Sequence, residues 1–238
     1  MGKGDDWHVI FSGADEYETS SPLSLLLDPD ADCLLAVGMN EGDLTRDHGY
    51  PIRAILPGIA GCRNVKYLES IRLSRTPCDS PWNAHYYKEA DGKHIQKLPL
   101  QSILLLPKKN TLISENEDDF VKVKGVAYTG AERSRIEKVE ITIDNGKTWS
   151  EAKLLWEDEE NMHDDDDDDG DHHHYHRHRH AWVRFESVVA IPKDNKNEKI
   201  YIYSKATDSN GLAQPKYSPK QRGYLYNGWG KTSLLKSC

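Results

Sequence analysis

From residue 98 onward the chain is a succession of short apolar–polar alternations broken at close intervals by turn residues, and no other feature restricts the fold as much. Segments 101–106, 121–128, 138–144, 148–155, 181–190 and 199–208 read as strands. Strands this short, with turns between them, predict a β-sandwich. Asp144, Asn145 and Gly146 fall between two of them, and Asn-Gly suits the positive φ of a type I′ hairpin turn. Residues 142–149 (TIDNGKTW) also match the Asp-box turn of sialidase propellers, where Asp and Thr brace the turn and Trp packs below. Propellers repeat that motif and this chain has one copy, so a plain hairpin is the expectation.

The first 97 residues have a different character. Residues 7–13 (WHVIFSG) alternate as a strand. A core strand so close to residue 1 leads us to expect a partner segment upstream. Ser20, Ser21, Pro22 and Leu23 combine hydroxyl caps with a first-turn proline, which predicts a helix running to Leu27 and stopping near Asp28. Residues 33–39 and 66–73 read as strands, 40–43 as a turn and 76–91 as irregular. Between them, residues 46–66 pack Arg46, His48, Arg53 and Lys66 around Gly49, Pro51, Pro57, Gly58 and Gly61, with an aliphatic run at 52–56. This predicts a strand bounded by rigid turns with cations at its ends, which suits recognition of a phosphate or other oxyanion. A surface strand with scattered charges is the alternative. From Arg46 to Lys88, seven Arg or Lys face only Asp47, Glu69 and Asp79, which favours the anion site over a solvated face.

Composition sets outer limits. A chain of 238 residues holds one large domain or two ordinary ones. It has 37% hydrophobic residues, a mean hydropathy of -0.75 and no run of about 18 apolar residues, so no membrane span is expected. The first residues lack the pattern of a secretory, transit or myristoylation signal, and the last are not a peroxisomal address. Of the net charge of -8, residues 163–180 supply -5 through seven Asp and two Arg, which leaves -3 for the rest. Charge therefore gives no reason to expect a nucleic-acid partner. That Asp/His-rich run reads as a solvated, disordered insertion between two strands. Its imidazoles suit loose binding of Zn, Ni or Cu, with no catalytic meaning. Cys33, Cys62, Cys78 and Cys238 have no metal-ligand spacing, so free thiols in a reducing compartment are expected and no metal ligand is assigned.

Residues 47–53 (DHGYPIR), followed by Pro57, Gly58, Gly61, Val65 and Lys66, resemble the molybdopterin oxidoreductases of the sulfite oxidase and assimilatory nitrate reductase family. Met39-Asn40, Ser20 with Pro22-Leu23, residues 124–128 (KGVAY), residues 144–149 (DNGKTW), Arg222-Gly223 and Trp229 follow in the family's order. The resemblance covers nearly the whole chain. It implies an α+β, mostly β protein: residues 1–97 as the later half of a molybdopterin-binding domain, and 98–238 as an immunoglobulin-like dimerisation domain carrying the insertion at 163–180.

It also implies roles. His48 and Arg53 would bind the pterin phosphate, with Lys66 and the backbone around Asn64 and Val65 completing the contact; the family more often has His where Asn64 stands. Tyr87 stands where sulfite oxidases place an active-site tyrosine, and Arg222 where they place an arginine lining the sulfite pocket. Arg63, Arg75 and His85 are unassigned pocket cations. None of the four cysteines stands at the position of the family's molybdenum ligand. The expectation is therefore a fragment of a sulfite-oxidising enzyme, inactive alone, using a molybdopterin cofactor, with a haem carried elsewhere in the parent. Sulfite would be the substrate, cytochrome c or oxygen the electron acceptor, and a second copy the partner through the sandwich. The mitochondrial intermembrane space is the compartment implied, with peroxisome or cytosol as alternatives. The rival readings are a non-catalytic dimerisation module with a cofactor half-site, and a fragment of a nitrate reductase.

Overall fold

The computed structural model describes residues 7–28, 31–114, 119–130, 134–156, 182–192, 199–219 and 224–237. The insertion at 163–180, Arg222 and Cys238 lie outside them. The chain divides into two compact units, Met1–Leu98 with Lys220–Leu225, and Pro99–Pro219 with Tyr226–Cys238.

The first unit is built on β1 (His8–Gly13), flanked by β2 (Glu18–Pro22) and, further along the chain, by β7 (Leu68–Ser74), all antiparallel. Val9 and Phe11, two apart on β1, bury one face of this sheet against Ala54, Leu56, Ile59 and Val65. Ser20 and Ser21 do not cap a helix; they are buried inside β2. Their hydroxyls are spent sideways. Ser20 Oγ accepts from the Cys78 amide (3.0 Å), and Ser21 Oγ donates to Gln96 Oε1 (3.0 Å). The helix that follows, α1 (Leu23–Leu26), is one turn with no side-chain cap. Pro22, rather than a serine, stands at its N-cap.

The expected strand at 33–39 divides into β3 (Leu34–Ala36) and β4 (Gly38–Met39). β4 turns through Asn40 and Glu41, at φ 51° and 64°, into β5 (Gly42–Asp43). That is the positive-φ pair of a two-residue hairpin. β6 (Arg53–Ile55) then pairs with β3. The segment before the second unit carries only α2 (Pro81–Ala84), with Ser80 at its N-cap.

In the second unit two sheets face each other. One has the order β13 (Lys153–Leu155), β14 (Val183–Ala190), β10 (Phe120–Tyr128), β8 (Gln101–Leu106). The other runs β12 (Ser150–Glu151), β11 (Ile136–Thr142), β15 (Lys199–Asp208), β16 (Gly230–Ser237), β9 (Thr111–Ser114). Alternate residues supply the shared core: Val123 and Ala127 on β10, Val183 and Phe185 on β14, Val139 and Ile141 on β11, Ile200 and Ile202 on β15. The expected sandwich is present. β9 and β16 escaped the sequence reading, and the expected strand at 148–155 is two short pieces.

The loop from β11 to β12 is longer than a two-residue hairpin. Ile141 pairs with Ser150, so the connection runs over 142–149. Asn145 and Gly146 do take positive φ, 65° and 92°. The closure, however, is made by Asp144. Its carboxylate accepts the Lys147 and Thr148 amides (2.9 and 3.0 Å) and the hydroxyls of Thr148 and Thr142 (2.6 and 2.7 Å). The Thr148 hydroxyl and amide, more than any other contact, hold its pKa far below the usual carboxylate range. Asp-box bracing thus occurs here without a propeller. A depressed folded pKa contributes its full stabilisation above the unfolded value of about 3.9 and loses it progressively as pH falls from there through the folded one. Acid is therefore expected to leave this loop intact until well below pH 4. Asp144→Ala should loosen it at neutral pH, seen as faster amide exchange at Lys147 and Thr148. Equal exchange in both proteins would contradict the bracing.

Candidate functional site

Residues 46–53 fold around a single 3-10 turn, Arg46–His48, ended by Gly49 at φ 101°. That left-handed conformation suits glycine. A Cβ at Gly49 would also stand 2.9 Å from Lys66 Cβ, so the missing side chain lets Lys66 lie against the turn.

Three cation-capable side chains gather on this turn. Lys66 Nζ donates to the Asp47 carbonyl (2.6 Å), and Arg53 Nη1 donates to the His48 carbonyl (3.0 Å). His48 Nδ1 meets Thr45 Oγ1 at 2.6 Å. His48 and Lys66 are exposed and Arg53 half-buried. Arg53 Nε is buried with no hydrogen-bond partner. Donors held by carbonyls rather than by carboxylates keep their charge uncompensated. Together with an orphaned guanidinium nitrogen, this donor set fits a phosphate dianion.

Asn64 and Val65 serve the scaffold. The Asn64 carbonyl oxygen accepts the Leu56 amide (2.6 Å), and its amide group points at the Ile59 and Ala60 carbonyls (3.4 and 3.3 Å). Its side chain is therefore committed to the 56–60 turn. Val65 is buried, and its carbonyl accepts the Ala54 amide (2.9 Å), tying the Lys66 segment to β6.

Tyr87 sits just after α2 and is half-buried, with an unusual φ of 44°. Its ring lies 5.7 Å from that of Tyr224. Of the unassigned cations, Arg75 lies over the Trp7 ring at 4.1 Å, and His85 is exposed at the end of α2. Arg63 is fully buried. Burial raises the pKa of Cys33, Cys62 and Cys78, which favours the neutral thiol at these three positions. One group with metal-ligating atoms in reach exists among the described residues, Glu18, Cys78 and Asp79. Glu18 is already engaged by Arg72 (2.9 Å), Ser12 (2.6 Å) and Cys78 (3.0 Å).

Sequence reasoning missed Gln214. Buried in the second unit, its side-chain oxygen accepts from the Ala206 amide (2.9 Å) and Ser102 Oγ (2.7 Å). Its amide group donates to the carbonyls of Asn227 (3.2 Å) and Gly228 (2.9 Å). It thereby ties residue 214 to residues 227 and 228. A lone glutamine in a polar stretch gave no signal of this.

Residues 2–82 match the Oxidoreductase molybdopterin binding domain, and residues 92–236 match the Mo-co oxidoreductase dimerisation domain. The chain belongs to the molybdopterin oxidoreductase family of sulfite oxidases and nitrate reductases. It is 32% identical over 248 residues to the protein "Sulfite oxidase, mitochondrial" of Mus musculus, a match covering 95% of this chain and 42% of that protein. The sulfite oxidase of Arabidopsis thaliana is 30% identical, over 95% of this chain and 59% of its own length. The Aspergillus niger nitrate reductase [NADPH] is 28% identical, over 96% and 29%. The chain thus spans less than two thirds of each of these relatives. The sulfane dehydrogenase SoxCD of Paracoccus pantotrophus superposes with a TM-score of 0.71 at 21% identity, covering 97% of this chain and 55% of its own, and so shares the fold.

Proposed function

We propose that this molybdopterin oxidoreductase chain acts in the oxidation of sulfite to sulfate, holding the pterin phosphate at the Arg46–His48 turn and presenting Tyr87 and Arg222 to the substrate. The observation that carries the reading is the gathering of His48, Arg53 and Lys66 on one turn with no carboxylate among the described residues bonded to them. The molybdenum group, when bound, supplies the oxygen atom and takes up two electrons. The chain's own residues bind and orient. Arg53 offers a planar fork to the phosphate, Lys66 a point charge and His48 a ring donor. Tyr87 Oη carries a proton that can be lent to a substrate oxygen, and the Arg222 guanidinium suits a doubly charged tetrahedral anion. A second copy would join through the sandwich, cytochrome c or oxygen would accept the electrons, and the compartment would be the mitochondrial intermembrane space. No helix among the described residues is long and apolar enough to cross a membrane.

Likeness to a nitrate reductase makes nitrate the competing substrate. In the molybdopterin-loaded protein, Arg222→Met is expected to raise the sulfite KM by about 10- to 100-fold, the worth of a hydrogen bond to a charged group, at unchanged molybdenum content. Metal loss with sulfite affinity intact would overturn the role of Arg222. Nitrate turnover without sulfite turnover would overturn the substrate.

A further inference from the structure

Arg63 is among the largest fully buried side chains of the described residues, and no carboxylate pairs with it. Its bonds go to neutral acceptors: Nε to the Ile95 carbonyl (2.8 Å), and Nη1 to Thr19 Oγ1 and Asn83 Oδ1. Nη2 is buried without a partner. Burying a guanidinium in this way carries a desolvation cost that neutral acceptors only partly offset. Burial correspondingly lowers its pKa. A feature this costly needs a return elsewhere in the molecule.

The return lies in what the three arms connect. Thr19 is on β2. Asn83 is in α2, four residues before Tyr87. Ile95 closes the far side of a small hairpin whose near side starts at Tyr87. In that hairpin the Ile95 amide donates to the Tyr87 carbonyl (2.9 Å), Lys88 bridges His94, and the Glu89 amide donates to Lys93 (2.8 Å). Asn83 is itself fixed, donating to the Cys78 carbonyl (2.7 Å). Arg63 thus ties Asn83, four residues before Tyr87, and Ile95, the hairpin partner of Tyr87, to buried Thr19 on β2. Tyr87 needs such a clamp. A tyrosine at φ 44° is in a sparsely populated conformation that persists only where its surroundings over-determine it.

We propose that Arg63 is a positioning residue for Tyr87, holding the 83–95 segment so that the tyrosine stays in its left-handed conformation. The proposal deepens the reading of Tyr87 given above and rests on it for its bearing on turnover. Arg63 touches no reacting atom; it acts through the Ile95 carbonyl and the Asn83 side chain.

Two variants separate this role from general stability. Arg63→Lys keeps the charge but cannot reach all three acceptors, and Asn83→Leu removes one arm while leaving Arg63 in place. Amide exchange in the full chain is read at Ile95, against Ile10 and Phe11 on β1 as an internal reference. We expect Ile95 to exchange about 10- to 100-fold faster in Arg63→Lys and about tenfold faster in Asn83→Leu, with β1 unchanged. Unchanged exchange at Ile95, or an equal rise at β1, would overturn the clamp. In the molybdopterin-loaded protein, Arg63→Lys should lower kcat more than it raises KM, and should add nothing to Tyr87→Phe. Additive losses would show that Arg63 does not act through Tyr87. If Tyr87→Phe leaves kcat intact, the catalytic reading of Tyr87 fails, and exchange at Ile95 still decides the clamp.

Discussion

Arg53→Ala is expected to leave the protein without bound pterin. Arg53 is the only guanidinium whose hydrogen bond is to the Arg46–His48 turn among the described residues, and its Nε has no internal partner. Replacing it removes two parallel donors to a phosphate, each a charge-assisted bond worth about 1.5–3 kcal/mol, so affinity should fall by roughly 100-fold or more. Lysine at the same place restores charge but not the fork, and should recover only part of the binding. Pterin released on denaturation and molybdenum content together measure the effect. The same substitution removes the bond from Arg53 to the His48 carbonyl, which braces the turn. Lys66→Ala is the check, because Lys66 also bonds the turn but contributes one point charge. It should weaken binding by about tenfold. Full occupancy in Arg53→Ala would remove the phosphate site from this turn.

Gly125→Ala is expected to cost the sandwich about 1–3 kcal/mol or more of stability, the range for overpacking a core. Gly125 lies in the inward row of β10 between Val123 and Ala127, and pairs with Phe185 on β14. The Phe185 ring fills the space a side chain would take. A Cβ there would fall 2.3 Å from Phe185 Cζ and 2.3 Å from the Ile103 carbonyl oxygen. The ring can turn aside, but the β8 backbone cannot. A second substitution, Phe185→Leu, should therefore return part of the lost stability but not all of it. Denaturant midpoints at constant slope report both changes. A Gly125→Ala protein as stable as the parent would mean that β10 and β8 can separate locally at no cost.

What the sequence disclosed was whatever a period or a turn residue can encode. β8 and β15 were legible to the residue, because Ile200, Ile202 and Ala206 alternate with polar positions on a strand buried on one side. β9 and β16 were not. TLIS and GKTSLLKS are short or polar, and their strand state comes from pairing with each other and with β15. Ser20 and Ser21 looked like helix caps because a hydroxyl before a proline is what a cap looks like. Only the distant Cys78 amide and Gln96 reveal them as strand residues. In the site, the cations around Gly49 were legible because charge and turn chemistry are local. The burial of Arg63 was not, since its partners Thr19, Asn83 and Ile95 are scattered across the first unit. The engagement of the Asn64 side chain was equally illegible, since the Leu56 amide it accepts comes from the far side of a turn.

The order of strands in the second unit sets a schedule for its assembly. β16 is not an edge: it lies between β15 and β9, and it holds β9 through a parallel pairing of Leu234 with Thr111. A ribosome releasing this chain would free β9 more than a hundred residues before the strand it must lie beside. Until residues 230–237 emerge, the inner faces of β15 and β9 have nothing between them, and Ile113 and Ile200 stay open to water. The sandwich can close only in its final step. A nascent chain paused before residue 230 is thus the form of this protein most in need of a chaperone.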